Sequence, residues 1–196
     1  MNPFLAREQQ LDLVLASCSP RRLEIMRGLG FEFEVEPAPE HVEDDVSHDD
    51  VYAVPQRLAA RKCAFVGERR PKSLVIGADT VVIVDDRILT KPANDTQAHE
   101  FLRLLAGRTH TVVTGLAIHA HERGVNMEKS ARTFVTFREL SDHEITSYVA
   151  TGEGRDKAGS YAAQGVGAGL IRSIDGCFFN VVGLPVSLLI DMLNEV

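Results

Sequence analysis

The sequence predicts an α/β domain built on a mixed β-sheet and pinched into two lobes. Three observations lead there. Strand-like and helix-like stretches alternate along the chain, two long consecutive strands joined by a short turn lie in its middle, and 196 residues at 44% apolar suffice for one large domain or two small lobes. No repeat, low-complexity tract or clear linker interrupts the chain. Residues 1–196 are therefore expected to form a single domain.

The first element is an apolar strand over Leu11 to Ala16, followed by a turn at Ser17 to Ser19. Pro20 suits the first helical position, and Leu23, Ile25, Met26 and Leu29 supply an apolar face up to Gly28 or Gly30. This strand, turn and helix put Ser17, Ser19, Arg21 and Arg22 where helix N–H groups and the helix dipole favour an anion. A strand over Phe31 to Val35 precedes a loop, Glu36 to Asp50, with seven acidic residues and two prolines. The next helix, Val51 to Val66, is expected to bury Val51, Val54, Leu58 and Phe65. Lys62 lies on that face, and its ammonium can snorkel to the rim or point into a cleft.

Leu74 to Val84 (LVIGADTVVIV) is the most strand-like stretch, interrupted at its centre by GADT. Asp79 inside it demands a cation or several donors, because a carboxylate buried without partners is costly. Asp85 and Asp86 read as a hairpin tip before a strand over Arg87 to Leu89. A helix over Thr96 to Ala106, closed by Gly107, turns Ala98, Phe101, Leu102 and Leu105 inward. Thr109 to His121 and Glu128 to Leu140 are two long strands joined through HERGVN, and Ser141 with Glu144 makes a capping box for a helix to Ala150. TGEGRDKAGSYAAQGVGAG then carries six glycines in nineteen residues, a density that lets backbone approach a ligand or simply serves loop geometry. A strand over Leu170 to Ile174 and a helix starting at Pro185 complete the chain.

A net charge of −7 argues against a broad nucleic-acid surface, so a nucleic-acid partner is not expected. Apolar runs fall short of the ~20 residues that span a bilayer, and MNPFLAREQQ has neither the apolar core nor the cleavage site of a signal peptide. The expectation is a cytoplasmic protein without a membrane partner. Cys18, Cys63 and Cys177 lack CxxC spacing and are expected to be reduced thiols.

The chain has no GxxxxGK[ST] loop and no GxGxxG pattern. Cys18 is not a phosphatase nucleophile, since Glu24 stands where a cysteine-phosphatase loop needs its arginine. What remains is a set of cations, Arg21, Arg22, Lys62, Lys91 and Lys157, and two carboxylates, Glu43 and Asp79. The cations can neutralise a polyphosphate and the carboxylates can hold a hard divalent metal, a combination suited to phosphoanhydride hydrolysis.

SCSPRR, GADTVV, the Lys91-Pro92 pair, GRTHTVVTG, DKAGSYAAQGVG and NVVGLP, in this order from about Leu13 to Leu193, resemble the Maf family of nucleoside triphosphate pyrophosphatases. The resemblance implies the Maf/ITPase-like fold: an elongated mixed sheet flanked by helices, with two lobes around a central cleft. It implies metal-dependent hydrolysis of a nucleoside triphosphate to monophosphate and pyrophosphate, a housecleaning role, a homodimer and a link to septum formation. By position, Asp79 is the general base, with Ser17, Arg21 and Arg22 around the phosphates and Lys62, Lys91 and Lys157 completing the cationic shell. Glu43, with Asp44 or Glu40 as alternatives, is the second acid, and it would share magnesium or manganese with Asp79. Arg21, Thr80 and Gln164 match the specificity positions of the subgroup acting on dTTP and UTP, and a glutamine amide can pair with the carbonyl and imide edge of a pyrimidine. Substrates would include modified pyrimidine nucleotides. The alternative is a nucleotide-binding regulator of septum formation that uses the same pocket without turnover.

Overall fold

A computed structural model of the chain describes residues 3–4, 12–44 and 46–196. Its seven strands, β1 (Leu13–Leu15), β2 (Glu34–Val35), β3 (Leu74–Val84), β4 (Arg87–Leu89), β5 (Thr109–Ala120), β6 (Val125–Phe137) and β7 (Ile171–Asp175), form one sheet in the order β2-β1-β3-β5-β6-β7, with β4 paired to β3. The sheet is mixed: β1 runs parallel to β2 and β3, whereas β4 and β7 are antiparallel to β3 and β6. The helices are α1 (Pro20–Gly28), α2 (Val54–Arg69), α3 (Asp95–Leu105), α4 (Asp142–Ala150), α5 (Phe178–Val182) and α6 (Val186–Asn194). The chain divides into two compact units, one of Met1–Asp79, Thr114–Ala131 and Gly183–Val196, the other of Thr80–Val113 and Arg132–Val182.

In the first unit the strand period of two sorts the core. Leu13 and Leu15 of β1 join Met26 of α1, Ile76, Leu116, Ile118 and Leu189 and Leu193 of α6, while Val14 and Ala16 join Ala59, Cys63 and Val66 of α2 with Val75 and Ala117. A parallel strand covered on both faces needs such a continuous apolar run. Burying each of these leucines contributes ~1.5–3 kcal/mol. Pro20 does open α1, and Gly30 takes φ 76° just beyond it.

Three expectations change here. Leu11 lies outside the described residues, and the strand begins at Leu13. The second strand shrinks from Phe31–Val35 to Glu34–Val35, because Phe31 turns into the core behind α1 and its N–H bonds the Met26 carbonyl. Helix α2 starts at Val54, with Pro55 in its first turn, and buries Ala59, Cys63 and Val66 in place of Leu58 and Phe65. Two glycines cause that rotation. A Cβ at Gly77 of β3 would stand 2.4 Å from the Ala59 carbonyl oxygen and 2.9 Å from Cys63 Cβ, and one at Gly115 of β5 would stand 2.3 Å from the Pro55 oxygen and the Gln56 nitrogen. The helix lies so close to the strands that only its small side chains fit inward.

The second unit closes on Val82, Val84, Leu89, Leu102, Leu105, Phe137, Ile145 and Tyr161. Strand β3 continues through GADT without a break and ends in a tip where Asp85 and Asp86 take φ 49° and 54°, the left-handed pair of a tight hairpin. Asn94 caps α3 by accepting the Gln97 N–H at 2.9 Å. Ser141 and Glu144 form the capping box of α4. Helix α5 was not expected from the sequence, being only five residues long.

Candidate active site

Seven of the residues singled out in the sequence belong to the first unit, and four of them, Ser17, Ser19, Arg21 and Arg22, stand at or just before the start of α1. Ser17 follows β1 and is buried, and its Oγ accepts the Ser19 N–H at 3.2 Å and Arg22 Nη1 at 3.0 Å. Arg22 also donates from Nε to the Gly183 carbonyl at 2.8 Å, so its guanidinium is held from two sides. Ser19 makes no side-chain cap on α1, and acidic residues are absent from the first turn. This helix mouth is consequently left positive.

The other three meet across α2 and β3. Lys62 Nζ lies 2.7 Å from Asp79 Oδ1 and 2.9 Å from Glu43 Oε1. The ammonium therefore points into the site rather than to the rim. Glu43 reaches it from a 3₁₀ turn over Glu40–Glu43 that packs on α2. Of the three acids that the sequence offers there, Glu43 is the one whose carboxylate pairs with Lys62. The Asp44 carbonyl accepts Arg61 Nη1, which ties the same turn to α2 again. Gly77, two residues before Asp79, has no side chain to hold α2 off β3, and it is across this close approach that Lys62 of α2 meets Asp79.

Electrostatics connects the two groups. Burial lowers the pKa of Arg22, the Asp79 carboxylate pulls it back up, Arg21 depresses it further, and Cys18 and Glu43 raise it again. Asp79 and Glu43 are thus close enough to Arg22 to be felt by it. Among the described residues no group of three or more His, Cys, Asp or Glu side chains is gathered as a complete metal cage. Two carboxylates converging on one cationic point suit a hard divalent ion that takes its remaining ligands from water and phosphate oxygens. Glu43 and Asp79 are donors of that type, and in this structure their Oε1 and Oδ1 oxygens are paired to Lys62 Nζ.

Lys91, Lys157 and Gln164 belong to the second unit. Lys91 is exposed, and Lys157 donates to the Glu153 carbonyl at 2.5 Å and to Asp156 Oδ1 at 2.6 Å. The segments bearing the two lysines are joined, the Gly159 N–H donating to the Thr90 carbonyl at 3.2 Å. Gln164 is exposed on the turn that follows, and Thr80 is the first residue of this unit, next to Asp79 in β3. Two residues escaped the sequence reading. Gly183 of NVVGLP is the acceptor that orients Arg22, and Glu153 of TGEG binds the glycine-rich turn. An acid among glycines, with many backbone N–H groups at hand, was the available signal for the second.

Known proteins resemble the chain along nearly its whole length. A family model described as Maf-like protein matches residues 12–196. A protein of Desulforamulus reducens named dTTP/UTP pyrophosphatase is 44% identical over 184 residues, covering 93% of this chain and 95% of that one. One of the same name from Moorella thermoacetica is 46% identical over 174 residues, 88% of this chain and 89% of that one. A solved structure of a HAM1 protein from Coxiella burnetii has 16% identity and a TM-score of 0.44 over 64% of this chain and 72% of its own. The match of the family model over nearly the whole chain, with relatives above 40% identity at almost full length, shows that the chain belongs to the Maf family.

Proposed function

We propose that this protein is a nucleoside triphosphate pyrophosphatase that converts dTTP and UTP, and modified pyrimidine nucleotides, to the monophosphate and pyrophosphate. The observation that carries the reading is the gathering of Arg22, Ser17, Lys62, Glu43 and Asp79 in one unit, with carboxylate and cations in mutual electrostatic reach. The names of the relatives, dTTP/UTP pyrophosphatase, supply the substrate class.

The triphosphate docks at the mouth of α1, where Arg21, Arg22 and Ser17 meet its oxygens through charge-assisted hydrogen bonds. Asp79 takes a proton from water as the water oxygen bonds to the α-phosphorus and the bond to the bridging α–β oxygen breaks. Pyrophosphate leaves with that oxygen. Lys62, Lys91 and Lys157 neutralise the charge that accumulates on the leaving group, the roles of the last two resting on their family positions. A magnesium or manganese ion held by Glu43 and Asp79 would add charge neutralisation at the phosphate oxygens. Arg21, Thr80 and Gln164 set the preference for the base.

The two units are proposed to act as a single domain over residues 1–196, since β3, β5 and β6 each contribute to both. We further assign the protein to the cytoplasm as a homodimer. No helix among the described residues is long and apolar enough to cross a membrane. The test is incubation with a panel of triphosphates and magnesium or manganese, with pyrophosphate and orthophosphate measured separately. Pyrophosphate release from dTTP and UTP is the expected result. Orthophosphate release overturns the reading, and nucleotide binding without either product favours the regulator of septum formation.

A further inference from the structure

Glu153 follows the end of α4 and gathers the glycine-rich segment around its carboxylate. Oε1 accepts the Val166 N–H at 2.9 Å, and Oε2 accepts the Gly167 N–H at 2.7 Å and the Tyr148 hydroxyl at 2.9 Å. The Tyr148 oxygen in turn accepts the Ala162 N–H at 3.1 Å. Residues 162 and 166, two before and two after Gln164, are thereby fixed to one carboxylate and phenol pair. Tyr148 is itself only 4% exposed, so the anchor is part of the core of its unit.

The fit is close enough to constrain the sequence. Gly165 has φ 68°, and a Cβ there would stand 2.2 Å from Glu153 Oε1; one at Gly167 would stand 2.3 Å from the Ala162 oxygen and 2.7 Å from the Tyr148 hydroxyl. The same residue uses its main-chain oxygen to accept the Lys157 ammonium at 2.5 Å. One glutamate therefore relates the lysine at a phosphate position to the glutamine at a base position.

From this arrangement we infer that Glu153 is the positioning residue for base selection: with Tyr148 it sets where Gln164 stands, and so which ring size the Gln164 amide can meet. The inference rests on the pyrimidine-triphosphate reading above. Its physical content is distance. A purine carries its hydrogen-bonding edge one ring further from the sugar than uracil or thymine does, so an amide held at one place serves one class. An amide on a loose turn serves both. Three donors on one carboxylate are the means of holding the turn that carries it, since hydrogen bonds to a carboxylate are roughly twice as strong as neutral ones. Glu153→Gln keeps the size but presents an NH₂ to one of those donors.

The experiment uses the full chain with Glu153→Gln, Tyr148→Phe and Gln164→Ala. Amide hydrogen exchange of Val166 and Gly167 is measured without substrate, and kcat and KM are measured for UTP and GTP. Expected for Glu153→Gln is faster exchange at both amides, a KM for UTP raised about tenfold with kcat largely kept, and a UTP-to-GTP ratio of kcat/KM lowered about tenfold, the scale of one lost charge-assisted bond. Tyr148→Phe, which removes the acceptor of the Ala162 N–H and one of the three donors to Glu153 but leaves the Val166 and Gly167 bonds in place, should move the ratio in the same direction by less, and it carries the test if Glu153→Gln does not fold. Unchanged exchange, or faster exchange with an unchanged ratio, overturns the proposal. An unchanged ratio in Gln164→Ala, or no pyrophosphate from the wild type, overturns it too, but by failure of the underlying reading.

Discussion

The Lys62 ammonium lies 2.7 Å from Asp79 Oδ1 while also touching Glu43 at 2.9 Å, with the lysine and aspartate side chains 12% and 15% exposed. An ion pair so withdrawn from water is weak evidence for stability, because desolvation offsets the attraction. Its consequence is chemical. One cation holds together two carboxylates that would otherwise repel.

Replacing Asp79 by Asn removes the proton acceptor while keeping shape and a partner for Lys62. The expected outcome is an unchanged far-UV spectrum and nucleotide binding with kcat lowered by about 10²–10⁴, the usual scale of a lost general base. Near-normal turnover would take Asp79 out of that role.

Lys62→Met leaves Asp79 and Glu43 side by side without the counter-charge they share at 2.7 and 2.9 Å. With that cation gone from the site, kcat/KM should fall about tenfold or more at neutral pH. Wild-type kcat/KM in this variant would show that the Lys62 ammonium does not serve the reaction.

Gly77→Ala tests whether the seat of α2 places Lys62. The added methyl meets backbone and a Cβ at 2.4 and 2.9 Å, so the helix must shift or the protein must lose stability. Overpacking of this kind costs about 1–3 kcal/mol, read from denaturant midpoints, and activity should fall beyond what that loss explains. Wild-type kcat/KM in this variant would separate the glycine from the site.

His110 is 2% exposed, bonded through Nε2 to the Tyr161 hydroxyl at 2.8 Å, and burial pushes its pKa down to about 4. The unfolded chain binds this proton near pH 6.5, so the stability due to neutral His110 is complete above that value and lost as pH falls toward 4. Between about pH 7.5 and 5 the loss is about 2 kcal/mol. His110→Phe should remove that part of the slope whatever its absolute stability. Parallel slopes in urea titrations of the two proteins would contradict the assignment.

Cys18 is exposed, while Cys63 is buried with its Sγ 3.0 Å from the Val75 carbonyl and its pKa raised to about 12 by desolvation. At about pH 8 the thiolate fraction at Cys63 is about 10⁻⁴, so a thiol reagent should label Cys18 at least a hundredfold faster in the native protein. Equal rates would mean that the α2 to β3 contact opens readily.

Local chemistry made much of the fold legible. Pro20 at a helix start, Ser141 with Glu144 as a capping box, and Asp85-Asp86 as a hairpin tip act through neighbours in sequence, and each stands where the sequence puts it. The cations and carboxylates of the site were equally visible as residue types, because charge in apolar surroundings demands partners. Tertiary packing alone decided the rest. Which face of α2 turns inward depends on Gly77 and Gly115, residues of distant strands whose missing side chains admit Ala59 and Cys63 and thereby aim Lys62 at Asp79. The carboxylate of Glu153 finds two of its three donors thirteen and fourteen residues away, and the guanidinium of Arg22 finds one of its acceptors at Gly183. Contacts over such separations are set by how closely backbones approach in space, a property that side-chain periodicity along a single segment does not carry.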